Sequence, residues 1–155
     1  MAIDVVWFKR DLRIRDHAPL LAAAASGRPI LCLMLLEPLR IKQPDVDPIH
    51  LQWELDVAER LDRDLRRRGG ALHVVHADAV EALSSLHDKH AVHTVHAHEE
   101  TGVQWSYDRD KDVASWCMEN GVGFVEHPNN GVIRRLQDRD GWKDARDARV
   151  ASPLL

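Results

Sequence analysis

The chain has 155 residues, of which 45% are hydrophobic and 30% are charged, and its formal net charge is −4. That length suits one ordinary domain, and the composition excludes a disordered or fibrous protein. The acidic balance argues against a dedicated nucleic-acid surface, because neutralising phosphates requires clustered Lys and Arg.

The sequence predicts a cytoplasmic protein without membrane contact. No apolar run approaches the roughly 20 residues that a membrane helix needs. A strand begins almost directly after Met1, which leaves no room for a signal peptide. Cys32 and Cys117 lie in apolar and helical runs, where they are expected to be buried thiols in a reducing compartment.

Five short apolar runs predict β-strands that alternate with helical patterns along the chain. The predicted strands are Ile3–Phe8, Pro29–Leu36, Ala71–His76, Ala91–His98 and Gly123–Glu126. The second, "PILCLMLL", is continuously apolar, as in a strand covered on both faces. Strands that alternate with helices predict an α/β fold of Rossmann-like type, with a doubly wound five-stranded parallel sheet of order 3-2-1-4-5.

Start and stop signals bound the helices between these strands. Asp16 is predicted to cap a helix that ends at Gly27, and Asp47 before Pro48 opens a long helix that stops at Gly69. Two capping boxes are predicted further along, each with Glu or Gln three residues after the N-cap. They are Asp78 with Glu81, and Thr101 with Gln104 in a helix that runs to about Asn120.

The loops that follow strands 1 and 4 carry dense charge that differs in sign. They read "KRDLRIRD" and "HEETG". In a doubly wound sheet ligands bind outside the carboxyl ends of the strands where the winding reverses, which for this order lies between strands 1 and 4. The sequence therefore predicts a ligand site there. A salt-bridge knot of Arg10, Asp11 and Arg13 that only shapes the loop is an equally good explanation.

Several kinds of catalytic or metal site lack support. The first strand–helix loop contains no glycine, so the G-x-G-x-x-G fingerprint is missing, and neither a P-loop nor a G-x-S-x-G elbow occurs. No metal site is predicted, because His96 and His98 share a face of strand 4 while His93 points the other way, and no second Cys or carboxylate completes a tetrahedral set. No catalytic residue is predicted either, since the adjacent Glu99 and Glu100 leave the strand pointing apart.

Five tryptophans are expected mainly in the core, with Trp53 the best candidate for stacking on a ligand. From about Asn129 the chain changes character. One short apolar patch, which includes Val132 and Leu136, is followed by polar residues and then by an apolar end at Leu155. The sequence predicts a domain over residues 1–130 and the start of a linker over residues 131–155.

The opening stretch "VVWFKRDLRIRDHAPLLAA" resembles the DNA photolyase/cryptochrome family, whose members typically begin Trp-Phe-Arg-Arg-Asp-Leu-Arg. Here Lys9 replaces the first Arg of that pattern, and His17 stands where Asn is usual. Three later segments resemble the family in the same order, so the likeness covers essentially the whole chain. They are "PILCLMLLEPLR", "HEETGVQWSYDRDKDVASWC" and "NNGVIRRLQDRDGW".

The resemblance implies the amino-terminal, light-harvesting domain of a deoxyribodipyrimidine photolyase-like protein. In many members this domain binds an antenna chromophore, which is a folate, a deazaflavin or a second flavin. A larger carboxyl-terminal helical domain binds the catalytic FAD and the damaged DNA. The chain alone is therefore expected not to be catalytic, FAD is expected only in that second domain, and the expected partners are the second domain and, through the parent protein, damaged DNA.

The resemblance also places an antenna pocket on the loops at the carboxyl ends of the strands. There Arg10 is expected to pair with a ligand anion, and Glu99 or Glu100 to accept hydrogen bonds from a ring N–H or a ribityl hydroxyl. The pocket residues implied in this way are Lys9, Arg10, Asp11, Glu37, Gln52, Trp53, His98, Glu99, Glu100 and Thr101.

Three other functions remain open from the sequence. One is a cryptochrome-type blue-light photoreceptor whose parent repairs nothing, which only a carboxyl-terminal domain would decide. Another is a stand-alone nucleotide- or flavin-binding protein of the same fold type, against which the missing glycine-rich loop argues. The third is an enzyme that acts alone, for which no nucleophile–base pair is visible.

Overall fold

The computed structural model describes residues 1–129, 131–134 and 138–155. Its centre is a five-stranded, all-parallel sheet of order β3-β2-β1-β4-β5, so the predicted fold class and strand order are confirmed. Every strand end lies within one residue of its prediction. The strands are β1 Ile3–Phe8, β2 Ile30–Leu35, β3 Leu72–Val75, β4 Val92–His98 and β5 Gly123–His127.

Six helices flank or follow the sheet in the described part of the chain. They are α1 Ala18–Ala25, α2 Pro38–Ile41, α3 Pro48–Arg66, α4 Ala79–His90, α5 Gln104–Glu119 and α6 Trp142–Val150. The long helix α3 begins as predicted, because the Asp47 side chain accepts a hydrogen bond from the amide of Ile49. Helices α2 and α6 were not predicted. Among the described residues, no helix is both long and apolar enough to cross a bilayer.

The predicted cap of α1 is wrong by one residue. Asp16 has a left-handed backbone with φ of 52°, and its amide donates to the carbonyl of Leu155 instead of turning into the helix. His17 is the N-cap, and its Nδ1 accepts a hydrogen bond from the amide of Leu20 at 3.1 Å. The imidazole of His17, and not the carboxylate of Asp16, therefore caps the helix.

Neither predicted capping box forms. Asp78 is the N-cap of α4, but its side chain makes no capping hydrogen bond. Thr101 precedes α5 by too far, because Val103 is the N-cap of that helix. Thr101 cannot cap α5 because Glu100 holds the chain in a turn before the helix begins. Glu100 Oε1 accepts hydrogen bonds from the amides of Thr101 and Gly102.

The sheet has a core on each face. One layer joins Val5, Trp7 and Leu33 to α4 and α5, and the other joins Val6 and Phe8 to α1 and α3. Burial on both faces explains the continuous apolar run of β2, and each such large side chain contributes about 1.5–3 kcal/mol.

The two cysteines are free and buried, as predicted, one in each layer of the core. Cys32 belongs to the layer that faces α1 and α3, whereas Cys117 belongs to the layer that faces α4 and α5. Burial raises the pKa of both thiols to about 11, because a thiolate is disfavoured away from water. Both side chains therefore act as small apolar core residues.

The predicted linker region carries α6 and contacts the domain. Within this region, Trp142 donates through Nε1 to the carbonyl of Gly131 at 3.1 Å. Its contacts with residues 1–130 include Arg134, which donates to Glu126 Oε1 at 2.7 Å, and Leu155, whose carbonyl accepts from the amide of Asp16 at 2.8 Å. Residues 130 and 135–137 of the quoted tail motif, with Leu136 of its apolar patch, lie outside the described residues. The role of residues 131–155 as a linker stays a prediction.

Candidate functional site

The charged loop after β1 divides its side chains between the two faces of the sheet. Lys9 turns toward α5, where its Nζ donates to Asp110 Oδ2 at 2.6 Å and to the carbonyl of His98 at 3.0 Å. Asp11 turns toward α1, where it meets His17 and His98. The loops after β1 and β4 therefore lie together, as predicted, and their side chains form two separate clusters.

Arg109 of α5 is the centre of the cluster on the α5 side. Its guanidinium donates to Glu37 at the end of β2, to Glu100 Oε2 at 3.2 Å and to Asp110 Oδ1 at 3.0 Å. Arg10 pairs with the other oxygen of Glu100. We call this set the ion-pair network, and its six members are Lys9, Arg10, Glu37, Glu100, Arg109 and Asp110.

The network balances three cations with three carboxylates, although most of its members are buried. Burial lowers the pKa of Lys9, and the Asp110 carboxylate opposes that effect. Burial likewise raises the pKa of Glu37 against the pull of Arg109. Burial also opposes ionisation of Glu100, but nearby cations, led by Arg10, hold the pKa of that carboxyl below its usual value. Mutual neutralisation makes so much buried charge tolerable.

Two tryptophans, Trp7 and Trp105, pack against the cations of the ion-pair network. The Arg109 guanidinium carbon lies 4.6 Å from the ring centre of Trp7 and 5.4 Å from that of Trp105, while Lys9 Nζ lies 4.7 Å from Trp7. These are cation–π distances. The chamber that remains between these side chains measures about 20 Å³, which is room for about one water molecule. The network therefore fills the innermost space at the switch point of the sheet.

A larger space, which we call the outer cleft, opens beside this chamber. It measures about 580 Å³ and shares Glu37, Trp105 and Arg109 with the chamber. Pockets of roughly 300–1,000 Å³ hold small molecules and cofactors. Its lining residues come from the ends of β2 and from α2, α4 and α5, and they are Glu37, Leu39, Asp78, Ala79, Val80, Trp105, Asp108, Arg109 and Asp112.

On the other face, Asp11 gathers what we call the histidine cluster, formed by Asp11, His17 and His98. His17 Nε2 lies 2.7 Å from Asp11 Oδ2, and His98 Nδ1 contacts the same oxygen. The amide of Lys9 donates to the second carboxylate oxygen at 2.8 Å. Burial opposes ionisation of Asp11, but the hydrogen bonds from both imidazoles hold the pKa of the carboxyl far below its ordinary value.

The histidine cluster corrects the expectation that no carboxylate would join the strand-4 histidines. Among the described residues, Asp11, His17 and His98 are the group whose ligand atoms lie close enough to hold a metal ion. The N-cap bond of α1 argues against that use. Because His17 Nδ1 accepts from the Leu20 amide, its Nε2 must carry the proton and donates to Asp11. We interpret the cluster as a hydrogen-bonded brace between β1, β4 and α1.

The expected salt-bridge knot within the first loop does not form. Arg10 pairs with Glu100, and Asp11 pairs with the two histidines. Arg13 donates to the carbonyl of Asp16 at 2.9 Å and to the Asn129 side chain at 3.0 Å. These three charged residues thus bond to different neighbours, because the loop lies where β1, β4, α1 and α5 converge.

The structure distributes the predicted site residues over three places. Four of them, Lys9, Arg10, Glu37 and Glu100, line the small chamber, and Glu37 also lines the outer cleft. Two others, Asp11 and His98, belong to the histidine cluster. Gln52, Trp53, Glu99 and Thr101 line neither space.

The last four residues have other surroundings. Gln52 donates to Asp56 one turn along α3, and the neighbouring Trp53 is 62% exposed. The Glu99 amide donates to the carbonyl of His127, and its Oε2 is buried without a hydrogen-bond partner among the described residues. Thr101 lies exposed in the turn around Glu100.

Sequence reasoning missed the two residues that dominate the site, Trp105 and Arg109. They lie four residues apart on α5, a spacing that puts both on one face of a helix. That spacing beside Asp110 was the available signal. That signal is weak, because a Trp in a helix is most often a core residue.

Comparison with known proteins identifies the family. The sequence profile described as DNA photolyase matches residues 4–150. The chain belongs to the DNA photolyase family. A deoxyribodipyrimidine photo-lyase of Thermus thermophilus is 39% identical over 71 residues, which cover 46% of this chain and 16% of that protein. The chain thus matches only a small part of the curated relative.

Solved structures of photolyases and cryptochromes share the fold. A Synechocystis cryptochrome superposes with a TM-score of 0.83 at 17% identity, covering 100% of this chain and 35% of that one. An archaeal photolyase of Sulfolobus tokodaii, described with two FAD molecules and a novel light-harvesting cofactor, gives 0.76 at 22% identity, with coverage of 94% and 35%. At these identities the likeness establishes the fold, which is that of the amino-terminal α/β domain of the family.

Proposed function

We propose that the chain is the light-harvesting domain of a photolyase-like protein and that it holds an antenna chromophore in the outer cleft. The observation that carries the proposal is the position of that cleft. It opens at the carboxyl ends of the strands, beside the point where the winding of the sheet reverses, and Trp105 and Arg109 form one of its walls. Ligands of doubly wound sheets bind at this place.

The cleft suits a planar heterocycle in size and in lining. Its volume of about 580 Å³ falls within the range of cofactor sites. Trp105 is partly exposed there, and Leu39, Ala79 and Val80 add apolar surface opposite the polar wall. An aromatic side chain stacks on a planar ring with a contribution of about 0.5–1.5 kcal/mol beyond its buried area.

The ion-pair network would serve as the rigid base of this site. Arg109 is held by three carboxylates and contacts two tryptophans, so it cannot move without leaving several buried charges unpaired. A bound chromophore would absorb near-ultraviolet or blue light and pass the excitation on. The chain would therefore fix the position and orientation of the ring while taking no part in bond breaking.

The rest of the parent protein would complete the activity. A carboxyl-terminal helical domain would hold the catalytic FAD and meet damaged DNA, and residues 131–155 would lead toward it. The proposal for this chain is the same whether the parent repairs DNA or acts as a cryptochrome-type photoreceptor, because that difference resides in the second domain.

Absorption spectroscopy of the purified chain tests the proposal. A deazaflavin, a reduced folate and a flavin are titrated separately, and a saturable band shift is expected with at least one of them. Trp105→Ala is expected to weaken that binding about tenfold or more, since it removes the stacking surface. Trp53→Ala is the matched control, because Trp53 is exposed and lies outside the cleft.

Two results would count against the proposal. If none of the three ligands gives a saturable change, the cleft is not an antenna site. Equal weakening by Trp105→Ala and Trp53→Ala would place the ligand elsewhere on the chain.

A further inference from the structure

Carboxylates dominate the polar lining of the outer cleft. Asp78 lies at the N-cap of α4, whereas Asp108 and Asp112 lie one turn apart on α5. Hydrogen bonds from Gln104 and Lys111 lower the pKa of Asp108, so this group is charged at neutral pH. Within the described part of the chain, Asp78 and Asp112 have no ion-pair partner to neutralise them. The cleft wall is therefore negative.

The positive charge that lines the outer cleft is already paired with carboxylates. Arg109 is the single cation among the described lining residues, and it is paired with Glu37, Glu100 and Asp110. Three N–H groups of its guanidinium point into that network. An incoming anion would have to compete with three fixed carboxylates for one guanidinium, and that competition is unfavourable.

The amino end of α4 is the feature of the cleft that favours an anion. A helix N-terminus carries an effective charge of about +0.5, which attracts phosphate groups. Here the Asp78 carboxylate and the first-turn residue Glu81 stand at that end, where acidic side chains oppose the positive end of the helix dipole. The helix end is thus compensated by the protein itself, which leaves it little attraction for a ligand phosphate.

We propose that the outer cleft selects a planar heterocycle whose side chain is uncharged and hydroxylated, and that it discriminates against the same ring carrying a phosphate. This inference rests on the proposed function, because it concerns the ligand class of the same site. Trp105 and the apolar side chains would hold the ring. The carboxylates Asp78 and Asp112 would accept hydrogen bonds from ligand hydroxyls, and a phosphate would meet the same carboxylates as like charge.

Riboflavin and FMN provide a matched pair of probes, because they share the ring and the ribityl chain and differ by one phosphate. The dissociation constant of each is measured by flavin fluorescence in low salt. We expect riboflavin to bind about tenfold more tightly than FMN, as two partly solvated carboxylates repel a nearby dianion to about that extent. Raising the ionic strength is expected to reduce the ratio, since salt screens exposed charges.

The double variant Asp78→Asn with Asp112→Asn separates charge from shape. It is expected to bring FMN binding close to that of riboflavin while leaving the riboflavin affinity within about threefold. Asp64→Asn with Asp56→Asn on α3, outside the cleft, is the control and should leave the ratio unchanged.

The possible outcomes distinguish the inference from the proposed function. Equal binding of the two flavins by the wild-type chain, or tighter binding of FMN, overturns the inference but leaves the proposed function standing. A preference for riboflavin that survives in the Asp78 and Asp112 double variant also overturns it. Binding of neither flavin, together with no binding of a deazaflavin or a reduced folate, overturns the proposed function itself.

Discussion

The loop after β1 contributes residues to two charged clusters, and these clusters stabilise buried charge in different ways. The ion-pair network uses Lys9 and Arg10 to neutralise carboxylates with full positive charges. The histidine cluster keeps Asp11 ionised with hydrogen bonds from imidazoles and from the amide of Lys9. The first cluster borders a cleft, whereas the second is closed between the sheet and α1.

The difference explains why this domain places so many charges after a core strand. Lys9 and Asp11 are two residues apart, yet they point to opposite faces and join elements that are distant in sequence. On the α1 face the charge fixes the packing of a helix. On the α5 face it builds a rigid, balanced network that borders the proposed ligand cleft. Mutations should therefore affect stability on one face and stability together with binding on the other.

The largest effect is expected from Asp11→Ala. The change leaves the Lys9 amide, His17 Nε2 and His98 Nδ1 without their acceptor in a buried place. We expect the free energy of unfolding to fall by about 3–5 kcal/mol in urea denaturation. Asp64→Ala breaks an exposed pair with Arg67 and should cost less than about 0.5 kcal/mol. Similar losses for the two variants would refute the bracing role of the histidine cluster.

Arg109→Gln and Arg10→Gln compare a buried and an exposed member of the ion-pair network. Both arginines pair with Glu100, but Arg109 is 11% exposed and Arg10 is 53% exposed. We expect Arg109→Gln to cost about 2–4 kcal/mol and Arg10→Gln less than about 1 kcal/mol. Thermal and urea unfolding measure both values. A smaller loss for Arg109→Gln than for Arg10→Gln would show that Arg109 is not the centre of the network.

A substitution at Gly102 tests how tightly the Arg10–Glu100 pair is packed. A Cβ there would lie 2.6 Å from Arg10 Nη2 and 2.9 Å from Glu100 Oε1. We expect Gly102→Ala to cost about 1–2 kcal/mol, because the Arg10 guanidinium and the Glu100 carboxylate must both move away from the new methyl group, which disturbs their pairing. Gly70→Ala meets only ordinary contacts, at 3.7 Å or more, and serves as the control. Equal stability of the two variants would mean that the Arg10 and Glu100 side chains adjust without cost.

Mild acid should lower stability through His96 and His127 before it affects the ion-pair network. Burial lowers the pKa values of His96 and His127, so the unfolded chain binds protons more readily than the folded one. Their contribution to stability is present above their ordinary pKa and is lost as the pH falls below it. Glu100, with a lowered pKa, keeps its charge through this interval.

We therefore expect the free energy of unfolding to decrease between pH 7.5 and pH 5.5, and His127→Gln to reduce that decrease. Urea denaturation at the two pH values measures the change. An unchanged decrease in the variant would show that His127 does not contribute to it.

Much of the fold could be predicted from the sequence. Its apolar runs gave the strand ends to within one residue, and the alternation of strands with helices gave the strand order. Helix starts were less predictable, because the capping atoms are decided by tertiary contacts. Glu100 takes the amides that a Thr101 cap would have used, and His17 caps α1 while it also bonds to Asp11.

The candidate site was only partly predictable. Lys9, Arg10, Glu37 and Glu100 follow strand ends, and the topology alone brings them together. Arg109 reaches the same place from within α5, where only its spacing from Trp105 marks it. Sequence also cannot show which charges neutralise one another. For that reason the small chamber, which the ion-pair network fills, could not be distinguished beforehand from the larger outer cleft.

The most direct test is to map the bound ligand by amide NMR shifts on the 17.6 kDa chain. On titration with riboflavin or a deazaflavin, we expect the largest shifts at residues 78–80 and 105–112, which line the outer cleft. Shifts centred instead on Trp53, or on the groove of about 440 Å³ between Asp16 and Leu155, would contradict the assignment of the cleft as the ligand site.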